Sequence, residues 1–388
     1  MISQACARDE TDAPLMFERW VIAKLVQEHQ LQPSHFRRET VAMPELREGE
    51  ALVRIKLINV HSATQLRIEQ GLTPLGETDP RNFACAQVVA SKDPTFAVGD
   101  TVACQSDWQQ YQVISSHSLP IGFNEPGPRV KVLNGTCSPW NYVFRPHLVK
   151  RWPSDVLMDV FGTSGLLAWF GMRENGPLQP GETVAVGAVS GSVGSMVAQL
   201  AKAAGCKVVG FASGRERCVQ LTQTLGIDGC IDYHNEHFDD ELRAIFPQGI
   251  DVFSDGVGGS FTERLVPLIK PGGRLFSYGA AAAAYAGNAS EGPRTTPTIR
   301  EHYGISAVVE QLLKDRSVRS GAWTVDHFYH ERLQAEDALS RLLEDGRLRP
   351  HNHVVQGFER LPNAIVDLYH QPRNGKLQIS FEQQQEDV

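Results

Sequence analysis

The chain has 388 residues, enough for two ordinary domains, and 41% of them are apolar, the share expected of a globular protein that buries sizeable cores. Its net charge of −8 carries no long run of one sign, which excludes the electrostatic footprint of a nucleic-acid binder and leaves little to hold the chain on a membrane surface. A small-molecule partner is the expectation that remains.

The start, "MISQACARDETDAP", mixes charges without an apolar core segment, and nowhere does the chain offer the roughly 18 uninterrupted apolar residues that span a bilayer. The expectation is a cytoplasmic protein. "ALVRIKLINV", Ala51 to Val60, alternates apolar and polar positions as a half-buried strand does, and "ACAQVVAS", "DTVACQS" and "YQVISS" follow as short strands between Gly, Pro and Asp turns. This front part, residues 1–150, predicts a small, mostly β domain with an N-terminal extension. Between Ile121 and Pro153 lies a Pro-, Gly- and aromatic-rich connection, the kind of segment that often forms a binding loop or lid. Within it Trp140, Tyr142 and Phe144 alternate, either as aromatics lining a cleft or as anchors of the loop.

From 151 to 330 the texture changes to strands alternating with helix-length segments: "TVAVGAV", "VGSMVAQLAKAAG", "KVVGFAS", "RCVQLTQTLG", "GCIDY", "DELRAIF", "DVFSDGV", "FTERLVPLI" and "RLFSYGA". Such βαβ alternation predicts a doubly wound parallel sheet, covered on both faces, in an α/β protein. The tail, 331–388, closes with one more helix and one more strand that are expected to rejoin the front domain. Seven cysteines, Cys6, Cys85, Cys104, Cys137, Cys206, Cys218 and Cys230, show no pair at two- to four-residue spacing, so free thiols are expected rather than a zinc cluster or a disulfide framework.

The chemistry concentrates in "GETVAVGAVSGSVGSMVAQLAKAAGCKVVGFASGRERC". After the strand Thr183 to Val186, the residues Ala188, Gly191 and Gly194 fit an A-x-x-G-x-x-G dinucleotide turn. Gly191 lets the backbone approach a pyrophosphate, and Gly194 lets the helix Ser192 to Ala204 pack on the strand with its N-terminal amides aimed at the anion. At the end of the next strand a cofactor with a free 2′-hydroxyl meets Asp or Glu; here Ala212, Ser213 and Gly214 lead into Arg215 and Arg217, with nothing acidic in the place that would repel a phosphate. An arginine fork suits a 2′-phosphate, which favours NADPH.

From about Phe17 to the C-terminus the chain resembles the medium-chain dehydrogenase/reductase superfamily, in its zinc-free branch of prostaglandin reductases, leukotriene B4 dehydrogenases and alkenal double-bond reductases. The resemblance is carried by "VAMPELREGEALVRI", "DPTFAVGDTVACQSDWQQYQV", "GTSGLLAWFGM", "LQPGETVAVGAVSGSVGSMVAQLAKAAGCKVVG", "GIDGCIDYHNE", "GIDVFSDGVGG", "KPGGRLFSYGA", "LLEDGRLRPHNHVVQGFERLPNAIVDLYH" and "NGKLQISF", in order and at matching spacing. It implies a GroES-like catalytic domain, a Rossmann domain and a cleft between them. The Gly-His-Glu ligand motif and four-cysteine lobe of the zinc-bearing cousins are absent, so no metal is expected. It further implies that Arg217 and Tyr233 hold the 2′-phosphate, with Ser190, Val193, Val257, Gly279, Ala280 and Trp323 completing the cofactor set, and that the protein is a homodimer.

The nicotinamide side departs from the pattern: Gly-Leu-Thr-Ala reads Gly165-Leu166-Leu167-Ala168, Asp-Asn-Val-Gly-Gly reads Asp255-Gly256-Val257-Gly258-Gly259, and Asn-x-Gly-Lys reads Arg373-Asn374-Gly375-Lys376. If the family chemistry carries over, hydride from NADPH reaches the β-carbon of an α,β-unsaturated carbonyl and charge collects on the carbonyl oxygen, which then needs a donor. Tyr285, just after Gly279-Ala280, is the first candidate, the alternative being a loop aromatic; His61, in the loop expected to face the cleft, is the second, the alternative being a structural histidine. Arg67 could meet an acidic group of the substrate or form a surface salt bridge. Two other readings stand beside this one: reduction of a quinone or iminium with the same hydride geometry, and an NADPH-binding protein with little turnover.

Overall fold

The computed structural model describes residues 15–26, 31–69, 71–78, 82–118, 130–132, 135–138, 140–279, 304–322, 325–370 and 374–382. The chain begins with an antiparallel ribbon of β1 (Met16–Ile22) and β2 (Phe36–Ala42). A seven-stranded sheet follows, built on β3 (Ala51–Asn59), β4 (Asn82–Ser91), β5 (Thr101–Ser106), β6 (Tyr111–Ile114) and, after the small pair β7 (Val130–Val132) and β8 (Gly135–Cys137), β9 (Asn141–Val143). β3 pairs with β4 and β6, so its alternation does not mark one wet face: only Arg54 is exposed, and Lys56 partly so.

The turn-rich stretch 121–153 is not the irregular connection expected from its composition. Its described residues carry β7, β8, β9 and the helix α2 (Pro146–Arg151), and Tyr142 and Phe144 are buried beside β5, where β9 pairs antiparallel. Three-residue strands leave too short a pattern to be read among prolines and glycines. Helices α3 (Ser154–Val160) and α4 (Thr163–Glu174) then lead to the second sheet.

This sheet comprises β10 (Thr183–Val186), β11 (Lys207–Ala212), β12 (Gly229–Asp232), β13 (Ile250–Asp255), β14 (Ile269–Ser277) and β15 (Arg319–Ala322), all parallel, in the spatial order β12-β11-β10-β13-β14-β15. Its crossovers include α5 (Ser192–Ala203), α6 (Arg215–Leu225), α7 (Phe238–Ile245) and α8 (Gly259–Leu265). Side chains along β10 divide between the two faces: Val184 and Val186 join the core shared with α4 and α5, while Ala185 joins the core of α7 and α8. The order reverses between β10 and β13, which makes the carboxyl ends of those strands the natural ligand crevice of a doubly wound sheet.

The end of the chain returns to the first sheet. β16 (Asn352–Gln356) lies parallel to β17 (Lys376–Ser380), and β17 pairs antiparallel with β3. One continuous core joins both sheets, running from Val53 and Cys85 through Leu166 to Val184 and Leu339. Among the described residues, no helix is long and apolar enough to cross a membrane.

Candidate active site

β10 ends at the crevice and the chain turns sharply into α5. Ala188 takes a left-handed conformation (φ 50°), which a non-glycine residue adopts only where its surroundings impose it, and its carbonyl accepts the Gly191 amide at 2.9 Å. A methyl group on Gly194 would lie 2.4 Å from that same carbonyl, so only glycine lets α5 come this close. No side chain caps α5 at Gly191. An uncapped helix N-terminus over a glycine turn is a receptor for phosphate, and these residues fit a dinucleotide's pyrophosphate. Ser190 and Val193 sit half-buried in the same turn.

At the ends of β11 and β12, Ser213, Arg215, Arg217 and Tyr233 gather. Arg217 Nη1 donates to Ser213 Oγ at 3.4 Å, the Tyr233 amide bonds the Ala212 carbonyl across the strand ends, and the Tyr233 ring packs on His234 and Phe261. One reading needs correction: acidic groups are nearer than expected, because Asp232 and Glu241 line the same cavity as Arg215. The Asp232 carboxylate is turned toward the His234 amide and that of Glu241 toward Asn235, so each already holds a donor.

On the other side of the crevice, Asp255 is wholly buried and organises the loop after β13, accepting from the amides of Val257 and Gly258 and from Thr262 Oγ1. Gly256 has a specific cause here: a Cβ would lie 2.5 Å from the ring of Tyr278, whose hydroxyl donates to the Gly187 carbonyl at the start of the glycine turn. Gly279 stands directly beyond, against the Gly256 backbone. Ala280, Tyr285 and Trp323 lie outside the described residues.

The first sheet contributes the opposite wall. His61 follows β3, and burial together with the positive charge of Lys376 holds its imidazole well below the usual histidine range, so the ring is neutral; its Nε2 has no hydrogen-bond partner among the described residues. Gly375 donates its amide to the Ser190 carbonyl at 2.7 Å, which sets Lys376 beside the glycine turn. Burial lowers Lys376 to about 8, opposed by Asp159, and burial raises Asp159 to about 7. The Asp159 carboxylate accepts from Ser192 Oγ, at the first position of α5, at 3.1 Å and from the His351 amide at 3.3 Å. His351 Nε2 and Asn374 Oδ1 are also buried with no hydrogen-bond partner among the described residues. A row of rings extends from His61 through Phe83 and Trp140 to Tyr329, with successive centroids 5.3–5.9 Å apart.

One candidate fares differently from expectation. Tyr142 is no cleft residue: it is wholly buried, its hydroxyl donates to Glu336 Oε2 and the Arg332 guanidinium lies 3.5 Å over its ring. Arg67 is half-buried in the last turn of α1 (Ser62–Glu69), a helix that packs on the helix Leu361–His370. Sequence reading missed Asp159, although an acidic residue inside the apolar run "VLMDVF" is the signal that marks it.

The glycine turn and the uncapped α5 at the switch point of a doubly wound sheet, with the arginine pair after β11, fit a dinucleotide-binding oxidoreductase. Residues 18–120 match the family model described as the N-terminal domain of oxidoreductase, and residues 192–310 match that of zinc-binding dehydrogenase. The NADPH-dependent curcumin reductase of Escherichia coli is 26% identical over 93% of this chain and 96% of its own length, and prostaglandin reductase 1 of Rattus norvegicus is 29% identical over 88% and 93%. The crystal structure of CurA from Vibrio vulnificus in complex with NADPH superposes with a TM-score of 0.74 at 23% identity, covering 94% of this chain and 99% of that one. These matches support a place for the chain in the medium-chain dehydrogenase/reductase superfamily, in the branch of the prostaglandin and alkenal reductases.

Proposed function

We propose that this chain reduces the C=C bond of an α,β-unsaturated carbonyl compound with NADPH, placing hydride on the β-carbon and a proton on the α-carbon. The cofactor reading is supported by the arginines at α6, by the relatives named as NADPH-dependent curcumin reductase and prostaglandin reductase, and by the NADPH complex of CurA. Bound NADPH would supply the hydride. The chain's part is to hold the cofactor and to receive the charge that builds on the carbonyl oxygen.

The observation that carries the reading is His61, neutral beside Lys376, with a buried Nε2 that has no hydrogen-bond partner among the described residues. A neutral imidazole can donate to an enolate oxygen without adding a second cation next to Lys376, whose charge favours the developing anion. Tyr285 is the second donor proposed for that oxygen. Asp159 positions Ser192 at the head of α5, and the Phe83–Trp140 rings offer a flat apolar wall to a conjugated substrate. An enolate spreads its charge, so hydrogen-bond donors suffice where a localised alkoxide calls for a stronger electrophile.

The test uses NADPH deuterated at its transferable C4 position and an enone. The label should appear on the β-carbon, and in heavy water the α-carbon should gain a solvent deuteron. Label on the carbinol carbon would overturn the assignment. We also propose a cytoplasmic homodimer joined through sheet edges, for which β15 offers an edge strand. Light scattering at micromolar concentration should give the mass of two chains, and the mass of one would count against the pairing.

A further inference from the structure

The fold brings together two cysteines whose spacing in the chain gave no sign of pairing. Cys218 lies in the first turn of α6, its amide bonded to the Gly214 carbonyl at 3.1 Å; Cys230 lies in β12, paired with Gly210 of β11. α6 packs on β12, and the Cys218 Sγ lies 3.9 Å from the Ala212 carbonyl at the end of β11, the strand that pairs with Cys230. Both line one cavity of about 430 Å³, with Arg215, Thr222, Asp232 and Asn235 around them. Cys218 is 4% exposed and Cys230 partly exposed, so a small reagent entering the cavity meets both sulfurs. The other described cysteines are buried.

We propose that Cys218 and Cys230 form a redox-active dithiol, which a hydroperoxide converts to a disulfide that ties α6 to β12 beneath the residues assigned to the 2′-phosphate. In the first step the Cys218 sulfur attacks the peroxide, becoming a sulfenic acid while the peroxide is reduced to water or an alcohol. In the second, the Cys230 sulfur attacks the Cys218 sulfur, expelling one water and closing the S–S bond. Two thiol hydrogens and one peroxide are consumed, so the electrons balance. The order of attack follows from the environment: the neighbouring Cys230 thiol, aided by the Arg217 charge and opposed by burial and Asp232, keeps Cys218 below the usual thiol range, whereas the neighbouring Cys218 and burial push Cys230 up.

A disulfide holds its sulfurs about 2.05 Å apart, closer than any hydrogen-bonded pair, so closure draws the first turn of α6 toward β12. Arg215 and Arg217 ride on that turn, and Tyr233 follows Cys230 at the strand end. The disulfide should therefore weaken NADPH binding, an effect that rests on the cofactor reading above, whereas bond formation does not.

The experiment treats the full chain with hydrogen peroxide, alkylates the remaining thiols and maps peptides by mass. The peptides holding Cys218 and Cys230 should appear cross-linked, two hydrogens lighter, and dithiothreitol should separate them. In Cys230→Ser, Cys218 should stop at a sulfenic acid that dimedone traps; Cys218→Ser should resist the same dose. Affinity for NADPH, followed by tryptophan fluorescence, should fall about tenfold on oxidation, as for loss of one charge-assisted bond, and recover with reductant, while NADH binding stays unchanged. Quantitative alkylation of both thiols after peroxide, or separate oxidation without a cross-link, would overturn the dithiol. A cross-linked chain that binds NADPH as tightly as the reduced one would overturn the coupling. Failure of either redox state to bind NADPH would instead defeat the cofactor reading and leave the cross-link standing.

Discussion

Arg217 is the side chain on which cofactor choice turns. Among the described residues its guanidinium makes one long hydrogen bond, to Ser213, and so retains donors for an incoming phosphate. Arg217→Ala should raise the apparent KM for NADPH by about 10- to 150-fold, the range for losing a charge-assisted bond worth roughly 1.5–3 kcal/mol, and leave that for NADH nearly unchanged. Equal effects on both cofactors would assign Arg217 to the fold. Residues like this one were legible because the motif is local: Ala188, Gly191 and Gly194 sit within one turn, and Arg217 opens the helix after the next strand. The surroundings of His61 were not legible, because its neighbour Lys376 comes from the far end of the chain and reaches it only through the pairing of β17 with β3. Tyr142 misled for a related reason: alternation marks a strand but does not say which side holds the cleft and which the core.

Among the elements, α3 carries the most unusual group. Asp159 is fully buried in it and raised to about 7, with Lys376 as the opposite charge and Asp155 as a like one. An unfolded aspartate titrates near 3.9, so between roughly pH 4 and 7 the folded chain keeps a proton that the unfolded chain has released. The stability that this group contributes is thus fully present below about pH 4 and is lost as the pH rises through 7. Asp159→Asn keeps an acceptor for Ser192 and removes the titration. The stability of the variant minus that of the wild type should therefore increase with pH between 5 and 7, by at most about 1.4 kcal/mol per unit. Parallel urea-melt profiles across that range would show that Asp159 is ionised in the fold throughout. The elements around it were largely predictable from βαβ texture, since β10 to β14 alternate with helices in strong patterns. The three-residue strands β7 to β9 were not, being too brief for periodicity to register, nor was β16, whose "NHVVQ" holds only two apolar residues, side by side.

On the scale of the whole molecule, one buried ionic group fastens the helix Arg332–Glu344 to the first sheet and to the end of α3. Glu336, wholly buried in the helix Arg332–Glu344, accepts from Tyr142 on β9, from Arg145 at 2.9 Å and from Arg332 Nε at 2.9 Å, and Arg332 in turn donates to the Phe161 carbonyl just after α3. The exposed pairs elsewhere, such as Arg243 with Asp240, contribute at most about 1 kcal/mol each, because water screens them and two mobile side chains must be ordered. Glu336 differs because Arg332 is 2% exposed and has no water to turn to. Glu336→Ala should therefore destabilise the chain by about 3–5 kcal/mol, the cost of a buried charge left without its partner, read as a fall in the urea midpoint at unchanged slope. Arg332→Met combined with Glu336→Leu should recover most of that loss, since an apolar pair of similar volume leaves no charge to desolvate. A single variant within about 1 kcal/mol of the wild type would mean that water reaches Arg332 and that apolar packing, not the ion cluster, holds this helix in place. A double variant as unstable as the single one would instead assign the cost to packing around Tyr142, over whose ring the Arg332 guanidinium lies.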